Sequence, residues 1–138
     1  MMRSNRQIAI TLHVVLAVVA LLAAPVGTLR GAQAQPEKRV ENVNSLVGTW
    51  RGERKNPQGE VQPVTLTIKE NGVVEAYTPL AWLFTGTITV ADGKMSYRTL
   101  SGAAGGPVVL YEDSNGKTFL RFTNTAASPP RTTEYERQ

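Results

Sequence analysis

The run FTGTITVADGKMSYR, Phe84 to Arg98, decides the fold. Asp92-Gly93 lies between two alternating stretches, and a two-residue hairpin turn wants residues that tolerate positive φ at this point. A two-residue loop sets Val90 opposite Met95 and Ile88 opposite Tyr97. Those large side chains then share one face. Thr87, Thr89, Lys94, Ser96 and Arg98 occupy the other. One face is apolar and the other polar, as in an antiparallel sheet that covers a core on one side only.

The same pattern extends in both directions. Glu70-Asn71-Gly72 fits a three-residue loop with Gly72 in the left-handed position, pairing Ile68 with Val74 and Leu66 with Ala76. Asn115-Gly116 admits two registers. A three-residue loop buries Val108, Leu110, Leu120 and Phe122, whereas a two-residue loop buries Val109, Tyr111, Leu120 and Phe122. The first is preferred. With a first strand near Gly48 to Arg54 and a last near Thr132 to Arg137, the strands fall at 48–54, 62–69, 73–79, 84–91, 94–101, 107–113, 117–124 and 131–137. No segment beyond Val47 carries a helical period of useful length. The expected fold is all-β, an eight-stranded antiparallel up-and-down β-barrel over 46–138, since closure of such a meander removes both exposed edges.

Loop lengths suggest a polarity. The three Gly-containing turns are connections two, four and six, and therefore lie at one end. The other four connections, Lys55 to Val61, Pro79 to Leu83, Gly102 to Gly106 and Thr125 to Pro130, read as a long-loop end, where binding residues gather.

Ahead of the barrel, Arg3 and Arg6 precede an almost wholly apolar run from Ile8 to Ala24. Pro25 and Gly27 break it, and Ala32-Gln33-Ala34 supplies the small residues of a cleavage site. This is the layout of a signal peptide over 1–34, cut before Gln35, with a secreted or periplasmic destination. The competing reading is an uncleaved anchor, because a run from Ile8 to about Leu29 nearly spans a ~30 Å hydrocarbon layer. Residues 35–45, polar and without period, read as a tether.

Cutting 34 of 138 residues leaves 104, and with Arg3, Arg6 and Arg30 gone the 15 basic residues become 12 against 11 acidic ones. Signs are interspersed, which argues against nucleic acid as a partner. The one histidine, His13, leaves with the leader, and cysteine is absent. No disulfide can staple the domain, no cysteine can be acylated, and triads needing histidine or cysteine and ordinary zinc sites are excluded. Glu112-Asp113 flanks a turn with its side chains on opposite faces and reads as solvated turn acids. No serine stands in a recognisable strained elbow. Gly102 to Gly106 precedes a strand rather than a helix, so the phosphate-loop reading fails. No catalytic residue, metal site or cofactor is expected.

Leu46-Val47-Gly48-Thr49-Trp50 resembles the Gly-x-Trp signature that opens the first strand of lipocalins and related calycin-type barrels. The resemblance covers residues 46 to 137 and extends to the loop asymmetry. It implies that Trp50 plugs a closed base beneath an arginine from the last strand, for which Arg137 is the matching position. The chain departs from that family in its short barrel, its lack of further family motifs, and the absence of a helix after the last strand. Phe84-Thr85-Gly86-Thr87 also looks somewhat like avidin, but only Trp50 and Trp82 are present, so biotin binding is not carried over.

If Trp50 faces inward, the period of two turns Gly52 and Arg54 inward as well, with Arg54 near the open end. Trp82 sits in the apolar connection Pro79 to Phe84 at the same end. The expected activity is non-catalytic binding of a small apolar or amphipathic, anionic molecule by Arg54, Trp82, Phe84 and Tyr97. The alternative is an envelope or extracellular protein as partner, gripped by the apolar loops of a solid barrel as an inhibitor or assembly factor would be. Arg54 can equally turn to solvent as the strand frays, and Trp82 can simply cap the core.

Overall fold

The computed structural model describes residues 35–138; the expected signal peptide and its cleavage site lie outside the described residues. The strands are β1 (Glu37–Lys38), β2 (Gly48–Lys55), β3 (Val61–Ile68), β4 (Val73–Tyr77), β5 (Trp82–Ala91), β6 (Lys94–Thr99), β7 (Gly105–Glu112), β8 (Thr118–Asn124) and β9 (Arg131–Arg137). β2 to β9 form an antiparallel meander. Pairing of β7 with β8 and of β2 with β9 closes it into an eight-stranded barrel.

The hairpin registers follow the burial argument. Val90 faces Met95 and Ile88 faces Tyr97, while Ile68 faces Val74 and Leu66 faces Ala76. In the β7–β8 hairpin, Val108 opposes Phe122 and Leu110 opposes Leu120, which is the three-residue-loop register. Gly116 supplies its left-handed position at φ 77°. Tyr111 is nevertheless buried, though on the outer face. β1 pairs with it, Phe119 stacks on it at 5.4 Å between ring centroids, and Arg121 lies 4.7 Å above its ring. That external cluster answers why both registers looked plausible.

The barrel's lower half is solid. Trp50, Leu66, Ile68, Val74 and Leu120 are all buried in one core. The segment read as a tether belongs to this closure. β1 adds to the stretch of β7 that β6 leaves unpaired, Val40 is buried, and a 3-10 turn over Val43–Leu46 drives Leu46 beneath the barrel. Asn42 caps that turn by accepting from the Asn44 amide at 2.8 Å. Lys38 pairs with Glu112 across the same edge. Backbone pairing rather than side-chain pattern makes this segment a strand, so its polar composition concealed it.

Loop lengths do not differ as expected. Lys55 to Val61 is a tight hairpin: the Asn56 amide donates to the Glu60 carbonyl and the Gly59 amide to the Asn56 carbonyl, both at 2.9 Å, with Gly59 at φ 84°. The β4–β5 connection is equally short, the Thr78 amide donating to the Ala81 carbonyl at 2.8 Å. The Thr99 amide donates to the Ala104 carbonyl at 2.9 Å, which ties the β6–β7 connection. Only the Thr125 to Pro130 loop is open, so composition rather than length distinguishes the mouth from the base.

Trp50 crosses the base with its indole N–H donating to the Leu46 carbonyl at 3.0 Å. The Arg137 guanidinium carbon sits 5.3 Å above the indole, while its two amino groups donate to the Ser45 and Val47 carbonyls at 3.3 Å each. A cation over an aromatic face, with its N–H edge engaged by carbonyls, is a stable way to cover a large ring at a surface. Truncating Trp50 to alanine empties a core that has no disulfide to fall back on. Urea unfolding of Trp50→Ala should register a loss of ~3–5 kcal/mol, against ~0.5 kcal/mol or less for the exposed neighbour Thr49→Ala.

Candidate functional site

At the mouth the two closing strands separate. β2 and β9 pair only at Trp50 with Arg137, Arg51 with Glu136, and Gly52 with Tyr135. Above Gly52, β2 remains paired to β3 and β9 to β8. The edges they turn toward each other are unpaired among the described residues. A cleft of about 620 Å³ opens there, walled by Val64, Leu83, Phe84 and Tyr135 and rimmed by Arg54 and Arg131. That is within the ~300–1,000 Å³ usual for small-molecule sites.

Gly52 sets the depth of the opening. A Cβ at this position would strike the Glu134 carbonyl oxygen and come within 2.8 Å of the Tyr135 ring. Without a side chain there, the Tyr135 ring lies across the seam. From it an aromatic stack continues through the interior. Phe122 meets Tyr135 edge-on at 5.4 Å, Tyr97 meets Phe122 edge-on at 4.9 Å, and Phe84 lies 6.4 Å from Tyr97. These rings fill the barrel between the solid base and the cleft.

The charged groups of the lining are Glu53, Arg54, Lys55 and Arg131, with Thr132 and Thr133 alongside. Among the described residues Arg54 forms no ion pair. The hydroxyls of Tyr97 and Tyr135 have no side-chain or backbone partner, yet no buried side-chain polar atom is left unsatisfied. Both hydroxyls therefore keep a little accessible surface on a nearly buried ring. Burial pushes the Tyr135 phenol up to about 12, the nearby Tyr97 phenol adds to the rise, and the Arg54 charge opposes it. Burial also raises Tyr97.

Of the expected ligand-binding residues, Arg54 and Phe84 line the cleft and Tyr97 stands behind it in the stack. Trp82 is elsewhere. By simple alternation it shares a face with Phe84, but Ala76 pairs with Phe84 and Tyr77 with Trp82, which leaves Leu83 as an extra residue. This bulge reverses the parity. Trp82 consequently lies on the outer wall, 58% exposed and stacked on Tyr77 at 6.0 Å. Tyr135, not singled out from sequence, takes its place at the site. Its spacing of two from Arg137 turns it inward, and the missing side chain of Gly52 admits its ring at the mouth.

The Asp113 carboxylate is committed to its turn, accepting from the Asn115 and Lys117 amides at 2.9 Å each. Those bonds hold its pKa below the usual carboxylate value. No cluster of metal-ligating side chains occurs among the described residues. Chemically, the cleft offers Arg54, Lys55 and Arg131 against the one carboxylate of Glu53, the Tyr135 phenol and apolar walls, a set suited to holding an anionic group beside hydrocarbon.

No protein-family model, curated protein or solved structure matches the chain. The fold itself, a closed eight-stranded antiparallel barrel, is consistent with a lipocalin-like barrel.

A tyrosine whose folded-state pKa lies above its unfolded value of about 10 favours the native state while protonated. Stability from this source is fully present below about pH 10 and is lost as pH rises toward about 12, by on the order of 2–3 kcal/mol. Denaturant melts across that alkaline range should record the decline, and Tyr135→Phe should flatten it.

Proposed function

We propose that this chain is an exported, non-catalytic binding protein of lipocalin-like, calycin type, which holds a small amphipathic anion at the mouth of its barrel. The observation that carries the reading is Arg54, without an ion pair among the described residues, set with Lys55, Arg131 and the Tyr135 phenol beside the apolar walls of one cleft. An arginine set against a low-dielectric wall binds carboxylate or sulfonate more strongly than it would in open water. The Tyr135 phenol adds a hydrogen bond that discriminates the head group. Gly48-Thr49-Trp50 at the base, with Arg137 above the indole, supports the family reading. Export rests on the 1–34 leader.

Because aromatic rings fill the interior below the cleft, the guest is small and sits at the mouth, its apolar part against Val64, Leu83 and Phe84. A long lipid chain has no place to go.

The protein recovered from the extracytoplasmic fraction, weighed under native conditions, should carry an adduct of a few hundred daltons. Anilinonaphthalene sulfonate, an amphipathic anion, should bind and brighten. Arg54→Ala should weaken that binding by about tenfold, the loss of one charge-assisted bond, with little change in stability. Dye affinity unchanged in Arg54→Ala would remove the cleft as the site.

A further inference from the structure

Every large hydrophobic side chain exposed among the described residues lies at the mouth end of the β3–β6 wall. They are Val61, Tyr77, Leu80, Trp82 and Leu100. Leu80 and Leu100 are the extremes, 86% and 76% exposed. Each occupies a different mouth connection, the first joining β4 to β5 and the second β6 to β7. Trp82 and Tyr77 stack just below, on the outer face. None of these five side chains lines the cleft between β2 and β9, although Lys55, opposite Val61, and Leu83, next to Trp82, do.

The charges divide the same way. Lys55, opposite Val61 in the β2–β3 ladder, and Arg98, two residues before Leu100, form no ion pair among the described residues. Of the lower cations, Lys38, Lys69 and Lys117 are engaged by Glu112, Glu75 and Glu136, whereas Arg39 and Lys94 form no ion pair among the described residues. Carboxylates mark the three base turns, at Glu70, Asp92, Glu112 and Asp113. At the rim the acids are Glu53 and Glu60, the second of which accepts from the Asn56 side chain at 2.8 Å.

We infer that the rim carrying Leu80, Leu100 and Trp82 docks this protein on an anionic lipid surface. Leucines projecting from two separate loop tips form points rather than a flat patch, and points enter a soft interface more readily than they fit a rigid partner. The stacked Tyr77–Trp82 pair on the outer face supplies the indole and phenol rings that settle between hydrocarbon and water. Free cations beside the tips meet anionic head groups, and the acidic base faces away. With so few inserted side chains the attachment is shallow and reversible. This surface delivers the cleft to the membrane boundary, yet its operation does not depend on what the cleft holds.

Vesicle co-sedimentation tests the inference on protein recovered after export, with all variants compared to the wild type so that any contribution from residues 1–34 is common to them. Wild-type protein should sediment with vesicles of phosphatidylcholine doped with phosphatidylglycerol and not with phosphatidylcholine alone, and added salt should release it. Trp82 emission should shift to the blue on binding. Leu80→Glu combined with Leu100→Glu should weaken binding by about tenfold or more, and Arg98→Glu by about fivefold. Lys94→Glu, at the base, should leave it unchanged. All these sites are exposed, so thermal melts should match the wild type, and dye binding in the cleft should persist. Failure to sediment with anionic vesicles overturns the inference, as does equal binding by the leucine double variant. A dimer, or capture of another protein, that Leu80→Glu abolishes while vesicles are ignored would overturn it as well, assigning the rim to a second copy or a protein partner.

Discussion

The barrel depends on one narrow seam, the contact of β2 with β9, and the seam depends on what Trp50, Gly52, Tyr135 and Arg137 do there. Trp50 and Arg137 make the lower end wide and well covered: a large ring spans the base and a guanidinium lies over it. Gly52 makes the upper end thin, because the missing side chain is what allows the Tyr135 ring to cross. Every other strand pair would survive in an open sheet. Only this one turns the meander into a closed surface, and it does so with few backbone bonds, because side chains carry the closure. The domain has no cysteine to reinforce it.

That arrangement explains why the two ends differ although their loops are of similar length. The base is shut by side chains and by a segment of chain folded beneath it, with Leu46 completing the core. The mouth is shut by aromatic rings standing inside the wall, one layer below the rim. Polar atoms on those rings then become the floor of a cleft rather than a buried liability. Arg54 stands beside them because the period of two along β2 carries it inward above Trp50 and Gly52.

Most of this architecture is legible in the residues themselves. The Asp92-Gly93, Asn71-Gly72 and Asn115-Gly116 turns announce themselves because left-handed backbone favours glycine, and each fixes a register that burial can check. Three features escape such reading, for different reasons. The Pro57-Gln58-Gly59 loop is as tight as the others, but its proline and charged surroundings suggest an open connection. β1 consists of Glu37 and Lys38, whose side chains say nothing about a pairing made by backbone alone. The bulge at Leu83 leaves no mark in a run of consecutive apolar residues, yet it moves Trp82 from the inner face to the outer one and so changes which residues form the site. Alternation predicts sidedness well until a single extra residue intervenes.

The distance along the chain between the two halves of the base has a consequence for biogenesis. Arg137 reaches the Ser45 carbonyl across 92 positions, so nearly the entire domain must be synthesised before Trp50 acquires its cover. Contacts of such separation form late, because their loop entropy is repaid only once the intervening ladders exist. A polypeptide still emerging from the ribosome thus lacks the piece that locks it. Its base stays uncovered until the last strand arrives and Arg137 settles over the indole.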